Sequence, residues 1–114
     1  MLVADSSRDL SSGYVDKVLS WYIGLPDTPP RPSRSDRALA IELCRRQIPL
    51  AVIDTAFLLA AARRHLRDPS LPPLASIRSL NYFLPVVDEV LASPLTKSYV
   101  DHLRQKLRRL NLCR

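Results

Sequence analysis

Glycine is nearly absent from this chain. Only two of its 114 residues are glycine, so few left-handed turns are open without strain. The ends of its elements must then be set largely by its ten prolines. The same scarcity excludes the glycine-rich loops that cradle phosphates through backbone amides. No G-x-S-x-G or H-E-x-x-H motif occurs, which removes two common hydrolase signatures. Neither an enzyme nor a cofactor is expected. Cys44 and Cys113 are far apart in sequence and outside any C-x-x-C pair, so no metal site is expected and Cys113 reads as a free terminal thiol. The longest apolar run, Ile48 to Ala62, holds Pro49, Asp54 and Thr55 and falls short of a membrane span. No membrane partner is expected. The opening MLVADSSRDL lacks a basic stretch ahead of an apolar core, so no secretory signal is expected and the cytoplasm is the expected location.

What is present favours helix. Twenty leucines stand among only scattered β-branched residues, and leucine is a strong helix former. The chain is 46% hydrophobic and 25% charged, ordinary for a globular protein. Its length suits one domain that buries roughly 65% of its unfolded surface. The expectation is a single all-α domain over 11–114, a compact bundle of about five helices. Residues 1–10 show no periodicity and read as a flexible tail.

Val15, Val18, Leu19, Tyr22 and Ile23 recur at helical spacing, and Gly24 closes that first helix. The stretch Leu25–Pro32 (LPDTPPRP) cannot be helix, because its prolines lack amide donors. It should run as a stiff strap, the PxxP-ligand alternative being weaker. Ser33 with Asp36 predicts a capped second helix over 34–46, with Leu39, Ala40, Leu43 and Cys44 as its buried stripe. Pro49 fits the first turn of a third helix, 49–65, apolar nearly all round and therefore central. Ala60, Ala61 and Ala62 would let a neighbour approach it closely. Beyond the connector Asp68–Pro73, the apolar residues Ile77, Leu80, Leu84, Val87 and Leu91 are spaced 3, 4, 3 and 4. That regularity predicts a fourth helix kinked at Pro85; the alternative is two short helices with Pro85 in the first turn of the second. Leu95, Thr96 and Val100 fit a hydrophobic staple around a Thr cap. A last helix over 97–110 would bury Val100, Leu103, Leu107 and Leu110.

Charge is uneven. The chain carries +6, of which residues 33–68 hold +3 (seven cations, four anions) and residues 97–114 hold +5 (six cations, one anion). Such a balance favours anionic partners. Candidate phosphate contacts are Arg45, Arg46, Arg63, Arg64 and Arg67 in the middle of the chain, with Lys97, Arg104, Lys106, Arg108, Arg109 and Arg114 at its end. A solvated helix face with cations complementing the dipole has the same pattern. No aromatic interleaves with these cations, so no base-stacking platform is expected.

A helix-turn-helix built from the second and third helices fails, because the third exposes almost nothing polar between Leu50 and Ala62. Asp54, the one acid in that apolar helix, is expected to pair with Arg78 or a second-helix arginine rather than act as a catalytic carboxylate. His65 and His102 read as surface histidines, with no second ligand at metal spacing. Arg78, Asn81 and Tyr82 fall at i, i+3 and i+4 opposite the fourth helix's core stripe. Exposed, Arg78 and Tyr82 would anchor a protein partner; buried, they would tie that helix to its neighbours, which is the favoured reading.

The order over 33–91 is a capped polar helix, a short turn, an apolar helix, then the aromatic segment Asn81–Tyr82–Phe83. It resembles the C-terminal helical domain of DnaD-like replication-initiation (primosomal) proteins. Gln47–Leu50 would match that family's turn, Val52–Ala62 its apolar helix and Ser79–Leu84 its Tyr-containing helix. The resemblance implies a basic tail on DNA, here Arg104–Arg114. Pro85 and the proline strap depart from the pattern, and no winged-helix domain of the kind that usually accompanies it is expected within these residues.

The expected function is therefore a small basic accessory protein, not an enzyme, that binds nucleic acid mainly through phosphate contacts, in replication or a mobile-element nucleoprotein complex. The alternative is a helical protein-interaction subunit or homodimer that docks onto a larger assembly.

Overall fold

The computed structural model describes residues 2–110, with side chains described from Gly13 onward. In chain order it holds α1 (Leu2–Ile23), α2 (Arg34–Arg45), α3 (Leu50–His65), a 3-10 turn (Leu80–Phe83), α4 (Leu84–Ala92) and α5 (Lys97–Arg109). No strand occurs among the described residues. The architecture is an all-α bundle, as the composition requires. Residues 2–10, expected as a tail, carry helical backbone continuous with the rest of α1.

The centre is α3. It packs against α1, the 3-10 turn, α4 and α5, and buries Ile53, Ala56, Phe57 and the run Leu58–Ala62. Pro49 caps its start in extended conformation rather than entering the first turn. On α1 the buried side chains are Val15, Val18, Leu19 and Tyr22. On α2 the stripe is narrower than expected, with Ala40 and Leu43 buried and Leu39 and Cys44 half-buried. The α2 start forms the expected capping box: Asp36 N–H donates to Ser33 Oγ at 3.1 Å, and Ser33 N–H donates to Asp36 Oδ2 at 2.9 Å.

Proline alone does not set the turns. Among the described residues, two other than glycine take left-handed backbone, Asp27 at φ 66° and Gln47 at φ 57°. Gln47 closes α2: its N–H donates to Cys44 O at 2.9 Å and the Ile48 N–H donates to Leu43 O at 3.2 Å. That pair of bonds is a Schellman closure, with Ile48 buried against the helix it ends. Asp27 bends the first proline strap so that its carbonyl accepts from the Ile77 N–H at 2.8 Å. The first proline strap is thereby tied to the segment that follows the second proline connector.

The continuous, kinked fourth helix is corrected. Residues 72–79 have no regular structure, the chain tightens into the 3-10 turn at Leu80, and Pro85 falls in the first turn of α4. A proline there surrenders an amide that has no helical partner anyway, whereas mid-helix it would break a bond and clash. The restart shifts the apolar register. Phe83 and Val90 are buried, while Leu91 stays 40% exposed.

Tyr14 and Tyr22 sit in this core with different partners. Tyr14 donates to the Ile48 carbonyl at 2.7 Å. The buried Tyr22 hydroxyl has no partner among the described residues. Burial pushes both phenols up to about 12 from 10.0, helped by Cys44 near Tyr14 and by Asp36 near Tyr22. Below pH 10 both the folded and unfolded states hold these protons. As pH rises through 10 the unfolded chain loses them while the folded protein does not, so stability falls until the folded groups titrate near 12. Tyr22→Phe removes a hydroxyl whose desolvation nothing offsets. The variant is expected to match or exceed the parent by about 1 kcal/mol in urea unfolding, with one high-pH tyrosinate step fewer. A loss greater than that would show that the hydroxyl is bonded in solution.

Candidate nucleic-acid interface

The relative direction of α3 and α5 decides which cations meet. Near the start of α3, Asp54 Oδ2 accepts from Arg104 Nη2 in the second half of α5 at 2.9 Å. Near its end, Arg63 and Leu66 share a cleft with Tyr99 from the first turn of α5. The two helices therefore run antiparallel. Thr96 caps α5 as expected, its side chain accepting from the Tyr99 N–H at 3.2 Å. Val100 is half-buried, Leu103 and Leu107 are buried, and Leu110, expected in the stripe, is 48% exposed.

Between them the two helices leave an open cleft of about 380 Å³. From α3 and its end come Leu59, Ala62, Arg63, Leu66 and Arg67; from α5 come Tyr99, His102, Leu103 and Lys106. On each helix the spacing is i, i+3, i+4, i+7, so one face of each lines the cleft. Its floor is apolar and its rim cationic, and no carboxylate lines it. The Tyr99 ring, 45% exposed, stands among these cations. That corrects the expectation that no aromatic interleaves with them.

Each candidate cation can now be placed. On α5, Lys97, Lys106, Arg108 and Arg109 are exposed and make no ion pair among the described residues. Arg104 is different: its side chain is only 25% exposed and is engaged by Asp54. The expected pairing of Asp54 is thus present, but with Arg104 in place of Arg78 or a second-helix arginine. Arg63 makes a two-pronged pair with Glu89, Nη1 donating at 2.8 Å and Nη2 donating to the other oxygen. That hydrogen bonding raises the Arg63 guanidinium and lowers the Glu89 carboxyl. Arg46 reaches Asp88 at 3.3 Å and Arg45 reaches Glu42 at 3.8 Å, all four being well exposed. Exposed pairs of this kind contribute little and exchange readily. Arg67 is half-buried, donating to the Pro72 carbonyl at 2.8 Å. Arg114 and Cys113 lie outside the described residues.

Arg64 leaves the candidate set. It is buried, donating to the Ala75 carbonyl at 2.8 Å, to Asp27 at 3.3 Å and to the Tyr82 hydroxyl at 3.3 Å. Its guanidinium also lies 5.5 Å from the Tyr82 ring centroid, within range of a cation–π contact. Burial alone would lower this group, but the bonds to Tyr82 and Asp27 outweigh it and leave Arg64 raised. His65 joins the cluster, its Nε2 standing 3.4 Å from the same Asp27 oxygen. His65, expected at the surface, is 20% exposed in its side chain.

Arg78, Asn81 and Tyr82 do not share a helix face, because the chain has no regular structure at Arg78 and is 3-10 at Asn81 and Tyr82. All three are exposed, against the expected burial. Two further carboxylates hold this region: Asp27, which the sequence does not single out, and Asp36, which it marks only as a helix cap. Asp36 is 1% exposed, and beyond its cap it accepts from the Leu80 N–H at 2.9 Å. A helix-start motif betrays the cap but not the second, distant donor.

Among the described residues no group of His, Cys, Asp or Glu is placed to hold a metal ion, and no helix is long and apolar enough to cross a membrane. No protein-family model, curated protein or solved structure matches this chain at a significant level.

Proposed function

We propose that this is a small basic accessory protein that binds nucleic acid through phosphate contacts made by α5 and the end of α3. The observation that carries the reading is that Lys97, Lys106, Arg108 and Arg109 are exposed on one helix with no ion pair among the described residues. Cations already committed to carboxylates add little to phosphate binding, so these four weigh more than Arg45, Arg46 or Arg104. Arg67, whose guanidinium meets a carbonyl and no carboxylate, extends the basic surface along the cleft, while Arg63 is held by Glu89. The DnaD-like pattern of helices points the same way, toward an accessory role in replication or a mobile-element nucleoprotein complex. The protein is not an enzyme on this reading.

The triple variant Lys106→Glu, Arg108→Glu, Arg109→Glu is expected to weaken oligonucleotide binding about a hundredfold at low salt, because each reversal removes a counterion-releasing contact. Fluorescence anisotropy reads this directly, and unchanged affinity in the triple variant would sink the proposal. A second reading, a protein-interaction subunit or homodimer, is favoured by Ile41, Leu91 and Leu110, each at least 40% exposed. Light scattering that reports a strict monomer at high concentration would remove the homodimer.

A further inference from the structure

We infer that the cleft between α3 and α5 takes single-stranded nucleic acid, with an unpaired base stacked on the Tyr99 ring. The inference rests on the nucleic-acid reading above and names the form of the ligand and the residue that selects it. Three observations converge. The Tyr99 ring is 45% exposed although aromatic surface is favourably buried. Beside it the cleft presents Leu66, 39% exposed, and an apolar floor that includes Leu103. The rim carries Arg67 and Lys106 with His102, and no carboxylate lines the cleft.

An apolar slot with a planar ring inside and cations at its edge suits a ligand that is flat and apolar at one point and anionic at the next. A nucleotide in a flexible strand has that alternation. Bases stack on aromatic rings with little regard to sequence while backbone phosphates follow the basic groove. In a duplex the same bases are paired and stacked internally, so only the phosphate contacts remain. Tyr99 thus confers preference for unpaired strands, and Arg67 and Lys106 add to the salt-dependent part of the affinity that the other α5 cations supply. Because the ring lies at the surface and its backbone holds the cap, replacement of the side chain leaves the fold in place.

The test uses the full chain with labelled oligo-dT, oligo-U, a duplex and an abasic strand of equal length, read by anisotropy at two salt concentrations. Tyr99→Ala is expected to weaken oligo-dT or oligo-U binding about tenfold, with an unchanged salt slope and unchanged duplex affinity. Tyr99→Phe should stay within about twofold of the parent, since stacking needs the ring and not the hydroxyl. The abasic strand should bind the parent as weakly as oligo-dT binds Tyr99→Ala. If the parent binds these strands and Tyr99→Ala binds them equally well, the stacking inference is overturned while the phosphate reading stands. If the parent binds none of the four ligands, both fall.

Discussion

Phe83→Ala is expected to cost about 4 kcal/mol, the largest loss of any single substitution considered. Phe83 is 1% exposed and stands where three rings meet. Its ring centroid lies 4.9 Å from Phe57 on α3, 5.9 Å from Tyr22 on α1 and 5.1 Å from Tyr82 beside it, all edge-on at 67–81°. Edge-to-face pairs add stabilisation beyond the area they bury. Truncation also leaves a void that the rigid helices α1 and α3 cannot collapse to fill. Small domains hold only about 5–15 kcal/mol in total, so this variant should sit near its unfolding midpoint in modest urea. Leu91→Ala, at a position 40% exposed, should stay within about 0.5 kcal/mol of the parent. Urea unfolding of both variants checks the pair. A Phe83→Ala loss no larger than that of Leu91→Ala would show that the aromatic cluster is not where the stability lies.

Asp36→Ala is expected to cost about 3 kcal/mol, more than the loss of a helix cap alone. One carboxylate oxygen serves the Ser33 N–H and the other the Leu80 N–H, 44 residues further on. Removing a cap residue costs about 1 kcal/mol. Leaving a buried amide without an acceptor adds about 1–3 kcal/mol more. Ser33→Ala, which removes only the outer half of the capping box, should therefore cost about 1 kcal/mol. Asp36→Asn should fall between the two, because the amide keeps one acceptor oxygen and turns a donor toward the other N–H. Equal losses in Ser33→Ala and Asp36→Ala would mean that the bond to Leu80 contributes nothing.

These two residues also show where sequence reasoning succeeds and where it stops. The helices α2, α3 and α5 were legible because their signals are local: Ser33 with Asp36, Pro49 ahead of an apolar run, and Thr96 ahead of an amphipathic stretch. The segment before α4 was misread because its apolar spacing of 3 and 4 is equally compatible with an extended stretch, a 3-10 turn and a restarted helix. Only the tertiary bonds, Ile77 to Asp27 and Leu80 to Asp36, choose among these. The candidate site divides in the same way. Net charge on the last eighteen residues is readable from composition. Which cations are already committed is not, since Arg104 meets Asp54 across 50 positions and Arg64 meets Asp27 across 37. The setting of Tyr99 is not legible in its own helix, because Leu59 and Ala62 of α3, with Leu66 just beyond that helix, complete the cleft around it.

The central claim is that cations on α5 and at the end of α3 engage nucleic-acid phosphates. It is tested most directly by the salt dependence of single-strand binding to the unaltered protein. Contacts to three or four phosphates predict a log–log slope of roughly −2 to −3 for a single strand. No measurable binding at low salt, or binding indifferent to salt, would contradict the account and leave these cations as a solvated helix face.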